Sequence, residues 1–413
     1  MARRRRLRGT RTPESLFASE VALLIDELLP VTSVEAGNDF TLKLTFPSGT
    51  TTTMFLGTIF AETGQLEGPA RAERIRRAVL ASVPPARPPT WDEAAGRLRP
   101  AVRAMSWVAA TGGTENQLLW RPLAPYLAFV IAIPIAYGMA FVTEADRRRW
   151  QIDEATVEAA ARENLRRLPA PTMEHDDGSA LDFVGPDGYA SSWLAMPATL
   201  AEIGRLLPGV DFVALAPSRD TMRLVSLQDR HALRHHLDWA ISTYQAAPRP
   251  LSPVAYQLFE GRLAPWVPPS DHPCRPVVER AGHLLAAEEY GQQQRALTAL
   301  FAKTGENVFV AEYKLMDEPG LPMRSWAAWV RQVTVGLLPR TDHLALADAE
   351  TKTSLWVRWE DAERLAPTAL RIEPGYFPPR WRVSGWPQGV ELEQLRAAGF
   401  HPRPGEDSPP PAA

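Results

Sequence analysis

The sequence is poor in cysteine: Cys274 is the only thiol among 413 residues. No disulfide can form within the chain, which excludes the small secreted folds that disulfides hold together. Cys274 lies between prolines in "DHPCRP" (271–276) and has no set of metal-ligating side chains beside it. This context favours an ordinary loop thiol over a nucleophile. Because a chain without disulfides is typical of the cytoplasm, we expect a cytoplasmic protein.

The chain also lacks an excess of either charge, with 45 basic and 48 acidic side chains and a formal net charge of −3. This balance gives no overall attraction to nucleic acid or to an anionic membrane. The exception is the arm at residues 1–12, which has six arginines and no acid. Such an arm can touch phosphate or anionic lipid, but a flexible, solvated terminus is the favoured interpretation. Because no apolar core follows the arginines directly, no secretory signal is expected.

Long apolar runs are absent except at residues 122–143, which contain no charged side chain. About 20 apolar residues suffice for a membrane helix, but here large and small side chains alternate from Leu127 to Val142. Period two places the large side chains on one face of a strand and would scatter them around a helix. We therefore predict no membrane span and instead a central strand, covered on both faces. The length of the run and Pro134 predict an interruption near residues 134–138, giving two strands or one bent strand.

Periodicity and capping signals predict the other elements. Helices are predicted at residues 14–29, 69–82, 91–98, 153–168, 190–209 with a break at Pro197, 228–245, 276–302 and 390–398. Hairpins are predicted at 40–46 with 51–56 and at 210–217 with 221–227, and further strands at 180–185, 307–316, 333–338, 343–348 and 354–359. The fold class is therefore α+β: a mixed or antiparallel sheet core with helices packed on it, followed by a separate smaller α+β domain.

Composition shifts suggest where domains begin and end. Seven prolines with little periodicity between residues 246 and 275 indicate a boundary. The predicted divisions are a basic flexible arm (1–12), an N-terminal α+β unit (13–110), a main α+β core (111–265), a linker (266–275), an aromatic-rich C-terminal α+β domain (276–400) and a disordered tail (401–413).

Several motifs occur in a characteristic order: "LRPAVRAMSW" (98–107), "AFVTEADRRRWQI" (140–152), "GPDGYASSWL" (185–194) and "LPGVDFVALAPSRDTMRLVS" (207–226). Their order and spacing resemble the YtpQ-like family of bacterial proteins of unknown function, from about residue 40 to about residue 266. The resemblance implies a bacterial cytosolic protein and supplies no catalytic residues. The strand region is more apolar than in that family, and the segment after Arg275 lies outside the resemblance.

Complete signatures of catalysis or metal binding are missing from the sequence. The glycines form neither a dinucleotide fingerprint nor a P-loop. His231 and His235 are four residues apart on a predicted helix, next to His236 and Asp238, a spacing that can bind zinc. The helix lacks the glutamate of a metalloprotease motif and places Arg234 beside any cation, so a polar surface stripe is favoured. We expect neither a metal nor a cofactor, and the sequence leans against an enzyme.

The strongest candidate for a small-ligand site is the "DGY" turn between a predicted strand and helix. Backbone N–H groups at a helix N-terminus can hold an anion, and hydroxyls nearby can assist. The predicted ligand-binding residues are Asp187, Gly188, Tyr189, Ser191 and Ser192. A simple turn, in which Tyr189 packs against the fold, explains the same residues.

A second candidate is the C-terminal concentration of tryptophan and arginine. Six of the thirteen tryptophans follow residue 300, and both residue types suit protein interfaces and base stacking. In "SLWVRWED" (354–361), alternation places Trp356 and Arg358 on one strand face and Val357 and Trp359 on the other. The predicted partner-binding residues are Trp326, Trp329, Trp356, Arg358 and Trp381. A small domain that uses large side chains to fill its core is the competing interpretation.

These observations favour a binding or adaptor protein that contacts a protein partner through its C-terminal domain. The alternative is an enzyme that acts on a small phosphate- or carboxylate-bearing ligand near the "DGY" turn. Nucleic-acid binding through the arginine arm and the C-terminal aromatics is a third hypothesis, against which the near-neutral total charge argues.

Overall fold

A computed structural model of the chain describes residues 12–37, 40–83, 87–110, 117–135, 138–168, 172–176, 178–184, 190–209, 211–318 and 320–400. The predicted arm, apart from Thr12, and the predicted tail lie outside these ranges, as do Asp187, Gly188 and Tyr189. In the part of the chain that is described, no helix is both long and apolar enough to cross a membrane.

The helices have the following bounds: α1 (Pro13–Leu28), α2 (Gly57–Thr63), α3 (Gly68–Ala81), α4 (Trp91–Ala95), α5 (Met105–Ala110), α6 (Glu144–Trp150), α7 (Glu154–Arg166), α8 (Pro197–Gly204), α9 (Arg230–Ala246), α10 (Arg275–Thr304), α11 (Trp359–Leu365) and α12 (Gly389–Ala397). A 3₁₀ helix (Ala190–Ala195) precedes α8.

The strands have the following bounds: β1 (Ser33–Ala36), β2 (Thr41–Thr45), β3 (Thr51–Phe55), β4 (Arg99–Ala104), β5 (Trp120–Ala124), β6 (Leu127–Ile135), β7 (Gly138–Phe141), β8 (Thr172–Asp176), β9 (Ala180–Val184), β10 (Phe212–Ser218), β11 (Thr221–Ser226), β12 (Pro250–Phe259), β13 (Arg262–Pro265), β14 (Phe309–Val310), β15 (Lys314–Met316), β16 (Arg324–Val330), β17 (Val335–Pro339), β18 (His343–Asp348), β19 (Thr353–Arg358), β20 (Leu370–Glu373) and β21 (Arg380–Ser384).

The sheets are antiparallel or mixed, with β14–β17 and β16–β18 as parallel pairs, and the α+β class is confirmed. The chain forms two compact units, each assembled from separated segments. The first contains Met1–Arg99, Ile131–Leu168 and Ala246–Pro250; the second contains Pro100–Val130, Pro169–Gln245 and Leu251–Ala413. The contiguous domain boundaries inferred from composition stay predictions.

The first unit is built around the predicted helix 14–29 and hairpin 40–56. Thr12 caps α1 by accepting the Ser15 backbone N–H at 3.2 Å, which satisfies one of the helix's orphan donors. The hairpin turns at Gly49, whose φ of +81° a residue with a Cβ rarely adopts. Phe17 from α1 meets Phe60 from α2 edge to face, with ring centroids 5.2 Å apart. These contacts form one apolar cluster with α3.

The apolar stretch forms β6 and β7, as its alternation predicts. β6 is buried over most of its length and lies between β4 and β5 in its sheet, and β7 pairs with it antiparallel. The register joins Ile135 to Gly138, so the chain reverses direction within the predicted interruption. The run is a folding element because its uncharged side chains fill the core on both faces of the strand.

The proline-rich segment at 246–275 is more regular than its composition predicts. It contains β12, a ten-residue strand whose middle is buried, and β13, which pairs with it. β12 and β13 belong to a six-stranded sheet in the order β13-β12-β10-β11-β9-β8. No strand was predicted for residues 250–265, so β12 and β13 are additions to the expected elements. Burial against the neighbouring strand overrides the weak local signal.

Two four-stranded sheets form the C-terminal part of the second unit: β14-β17-β21-β20 and β15-β16-β18-β19. The predicted helix 276–302 is α10, and strands 343–348 and 354–359 correspond to β18 and β19 with small shifts at their ends. Four elements here were not predicted: β16, β20, β21 and α11. The core between these elements contains the buried side chains of Trp329, Trp359 and Trp381.

Candidate functional site

The register of the β15-β16-β18-β19 sheet decides which C-terminal aromatics face outward. Trp326 pairs with His343, and His343 pairs with Arg358. Residues directly opposite each other on paired strands share a face of the sheet, so these three side chains lie on one face. Trp356 lies on the same face, opposite Ala345. The other face carries Trp329 and enters the apolar core.

The outward face presents two neighbouring indole rings. The ring centroids of Trp326 and Trp356 are 5.1 Å apart at an interplanar angle of 52°, and both side chains are partly buried. The Lys314 ammonium lies 5.0 Å from the centroid of the Trp326 ring, a cation–π arrangement. We define the Trp–Arg face as Lys314, Arg324, Trp326, Trp356 and Arg358.

A pocket of about 320 Å³ lies at the end of this sheet. The parallel strands β16 and β18 both begin there, and the antiparallel β19 ends there, so strand directions bring Arg324, His343 and Arg358 to one edge. Arg340, from the segment before β18, completes the basic side chains. The full lining is Arg324, Arg340, Thr341, Asp342, His343, Arg358, Trp359 and Glu360. We call this site the arginine pocket.

Arg340 is held in place by aromatic rings. Its guanidinium carbon lies 6.0 Å from the ring centroids of both Trp359 and Trp381. Its Nη1 donates to Glu363 Oε2 at 3.3 Å, and its backbone N–H donates to the Tyr290 hydroxyl at 3.3 Å. A guanidinium positioned by stacking and hydrogen bonds loses less entropy when it binds an anion.

Two predicted partner-binding tryptophans are buried, which corrects that part of the sequence interpretation. Trp329 is 0% exposed and donates its indole N–H to the Gly385 carbonyl at 3.0 Å. Trp381 is 8% exposed and donates to Glu363 Oε1 at 3.2 Å. Neither ring is available to a partner, because both fill the core of the domain. Trp326, Trp356 and Arg358 remain on an outward face.

The predicted site at the "DGY" turn is only partly described. Asp187, Gly188 and Tyr189 lie outside the described residues. Ser191 and Ser192 form part of the 3₁₀ helix and are each only 2% exposed. Their side chains are therefore buried, and their part in ligand binding stays a prediction.

The histidine-rich helix is also different from the predicted surface stripe. His231 and His235 are exposed, but His236 is buried. The His236 imidazole lies between Arg223 Nη1, 2.8 Å from its Nδ1, and Ser179 Oγ, 3.0 Å from its Nε2. Arg223 in turn forms a bidentate pair with Asp182, with both N···O distances at 2.6 Å.

This Ser179–His236–Arg223–Asp182 chain resembles a catalytic triad in its order but not in its proton positions. A guanidinium has only donors, so Nδ1 of His236 is the acceptor and a neutral ring carries its proton on Nε2. That nitrogen then donates to Ser179 and cannot accept the serine proton, which nucleophilic activation requires. These four side chains therefore form a structural network. Within the described ranges, no three His, Cys, Asp or Glu side chains come together as a metal-binding group.

Two buried polar side chains that sequence reasoning missed lie near α10. Glu289 is 2% exposed, and burial raises its pKa to about 7 although the Ser106 backbone N–H donates to it at 2.9 Å. Arg380 is 0% exposed, and burial lowers its pKa to about 10. The guanidinium of Arg380 donates to Gln293 Oε1 and to the carbonyls of Ala311, Leu337 and Tyr290.

Two further cavities lie in the second unit. One, of about 220 Å³, is almost entirely apolar and is lined in part by Tyr256, Trp266 and Leu285. Another, of about 720 Å³, contains the pair of Arg331 and Asp348, whose N···O distance is 2.8 Å. Neither gathers as many cationic side chains as the arginine pocket.

Comparison with protein-family models, with curated proteins and with solved structures found no match to this chain. The resemblance to the YtpQ-like family therefore stays a prediction that rests on the order of motifs.

Proposed function

We propose that this protein is a binding or adaptor protein that contacts a protein partner through the Trp–Arg face. The observation that carries the proposal is the pair of adjoining indoles, Trp326 and Trp356, on the face of the sheet that points away from the core. Membership of the YtpQ-like family is part of the same proposal, and it implies a bacterial cytosolic setting without naming a partner.

The composition of the face supports a protein partner. Tryptophan and arginine are the residues most enriched among those that carry the binding energy of protein interfaces. Trp326 and Trp356 are already partly desolvated by each other, and Lys314 and Arg358 flank them with exposed charge. An apolar centre with a charged rim is the usual anatomy of an interface.

The competing interpretation, core filling, accounts for other tryptophans of the domain. Trp329, Trp359 and Trp381 occupy the apolar core. Trp326 and Trp356 lie on the opposite side of the strands from that core. Their position therefore calls for another explanation, and contact with a partner supplies one.

The test uses the full chain as bait, as wild type, as the double variant Trp326→Ala/Trp356→Ala and as Phe259→Ala. Phe259 is an exposed aromatic on β12 and is the matched control for loss of a surface ring. Each tryptophan is expected to contribute about 2 kcal/mol, so its loss weakens partner binding about 30-fold.

A partner that is enriched by the wild type and by Phe259→Ala, but lost with the double variant, supports the proposal. Its affinity is then measured with purified components. Circular dichroism establishes that each variant is folded. If the same partners are captured equally by all three baits, the Trp–Arg face is not the contact surface.

A further inference from the structure

We propose that the second unit binds a small uncharged aromatic molecule in the cavity of about 220 Å³ that Tyr256, Trp266 and Leu285 help to line. We call this cavity the aromatic pocket. The inference goes beyond the proposed partner contact, because none of the described residues that line the aromatic pocket belongs to the Trp–Arg face.

One wall of the aromatic pocket is a face of α10. Arg275, Val278, Glu279, Gly282 and Leu285 line the pocket, and their spacing of three or four residues places them on one side of a helix. Strand β12, the end of β13 and the turn between β5 and β6 supply the other walls. The pocket is therefore assembled from segments that lie far apart in the sequence.

Gly282 leaves part of this space open. It lies inside α10, where glycine is less favourable than alanine for the helix. Outside the helix itself, no atom of the described residues lies within 4 Å of where a Cβ on Gly282 would stand. Close packing therefore does not account for this glycine. The missing side chain contributes instead to the open volume of the aromatic pocket.

Three aromatic side chains line the pocket: Tyr126, Tyr256 and Trp266. Trp266 is buried, and its ring meets the His272 ring edge to face with centroids 5.5 Å apart. The Tyr256 hydroxyl forms a hydrogen bond with Ser252 Oγ at 2.8 Å, so this polar group is already satisfied within the protein. These rings favour a bound aromatic ring, because edge-to-face and offset contacts between rings add to the burial of apolar area.

Tyr126 has an unusual backbone conformation at the pocket wall. Its φ of +66° lies in the left-handed region, which a bulky residue rarely adopts. The Tyr126 carbonyl accepts the Met105 N–H at 2.9 Å, and the Tyr126 ring meets the Tyr290 ring with centroids 6.3 Å apart. Backbone strain that the surrounding structure maintains is concentrated at functional positions, ligand-binding ones among them. These contacts fix the Tyr126 ring before a ligand arrives.

The charged side chains of the described lining are paired with each other. Arg275 Nε donates to Glu279 Oε1 at 2.5 Å, and Arg275 Nη1 donates to the Pro268 carbonyl at 2.8 Å. Glu279 Oε2 also lies 3.8 Å from Arg324 Nη1. A charged ligand would lose its hydration in an almost entirely apolar pocket and would find both lining charges already compensated. An uncharged ligand avoids that cost.

The volume of the pocket sets the size of the ligand. An engineered apolar cavity of about 150 Å³ in another protein takes up benzene. The aromatic pocket, at about 220 Å³, is somewhat larger, so it has room for a ring system about the size of indole. Apolar cavities also hold water poorly, so such a ligand displaces little bound water when it enters.

Isothermal titration calorimetry with the full chain alone tests the proposal. The probes are indole, indole-3-acetate as its charged analogue, and hexanol as an aliphatic control. The proteins are wild type, Gly282→Leu and Gly291→Leu. Leucine at 282 projects an isobutyl group into the pocket, whereas Gly291 is an interior glycine of the same helix outside the described lining and is the matched control. Leucine favours a helix more than glycine does, so both variants should fold, which circular dichroism checks.

The expected result is saturable binding of indole to wild type and to Gly291→Leu, about tenfold weaker or undetectable in Gly282→Leu. Indole-3-acetate and hexanol should bind more weakly than indole. If Gly282→Leu does not fold, Val278→Phe replaces it, because Val278 lies one turn earlier on the same face.

Three results would overturn the proposal: no saturable binding of indole to wild type, indole binding that the filling variants leave unchanged, or hexanol or indole-3-acetate binding as tightly as indole. Because no partner protein is present in the titration, a failure of the proposed partner contact does not affect this result.

Discussion

Replacement of Glu289 by glutamine should make the protein more stable at alkaline pH and should leave its stability nearly unchanged at acidic pH. Glu289 lies on α10 with 2% of its surface exposed, and burial raises its pKa from 4.5 to about 7. Tyrosines that interact electrostatically with it, among them Tyr126 and Tyr256, bring no positive charge to compensate. Ionised Glu289 therefore destabilises the fold.

The size of this destabilisation follows from the linkage between proton binding and folding. A pKa rise from 4.5 to about 7 corresponds to about 3 kcal/mol, at about 1.4 kcal/mol per pKa unit. Between these two pH values the folded state binds more protons than the unfolded state, so the free energy of unfolding falls as pH rises. Below about pH 4.5 this loss of stability is absent, and above about pH 7 it is complete.

Urea unfolding of wild type, Glu289→Gln and Glu288→Gln at about pH 4.5 and about pH 8.5 measures this effect. Glu288 is the exposed neighbour on the same helix and controls for the loss of a carboxylate. The glutamine oxygen can still accept the Ser106 N–H, and any fixed packing cost cancels between the two pH values. The reasoning is refuted if the stability difference between Glu289→Gln and wild type is the same at both pH values, or if Glu288→Gln shows an equal change.

Three further predictions concern stability. Trp329→Ala should lower the free energy of unfolding by about 4 kcal/mol, as expected for a buried tryptophan, and Trp326→Ala should lower it clearly less. Equal losses in urea unfolding would contradict the assignment of Trp329 to the core and of Trp326 to the outward face. Arg380→Met should lower the free energy of unfolding by about 3–5 kcal/mol, because the carbonyls that accept hydrogen bonds from Arg380 lose their donor. An unchanged thermal unfolding temperature would show that Arg380 does not have this stabilising role. Hydrogen bonds from Gln332 and Arg331 lower the Asp348 pKa to about 2. Asp348 therefore contributes stability at neutral pH that is lost as pH falls through about 2, and Asp348→Asn should flatten this acid dependence in a pH titration followed by circular dichroism.

Local sequence signals predicted those elements whose conformation depends on residues close together in the sequence. Alternation of side-chain size predicted the strands on either side of residues 136–137, since period two has one structural solution. Asp153 caps α7 through the Thr156 N–H at 2.9 Å, and Pro197 begins α8. Caps and prolines act within one turn of chain, so the sequence alone determined these boundaries.

Local signals failed where contacts from distant segments decide the conformation. β12 begins at one proline and contains another, yet it is buried between β10 and β13. β16 was not predicted, although it carries two of the four predicted contact tryptophans. Its parallel neighbour β18 begins thirteen residues after it ends, and no short-range pattern reports that pairing.

The sequence by itself determined the α+β composition, the central apolar strand and the enrichment of tryptophan and arginine near the C-terminus. Only the tertiary structure decided which tryptophans are buried, because that depends on the face each strand turns to its neighbours. It also placed Arg324, Arg340 and Arg358 around one pocket. It buried Glu289 as well, although the content of polar residues in α10 is not unusual. Burial and charge convergence are properties of segments brought together from different parts of the chain, and composition and periodicity do not encode them locally.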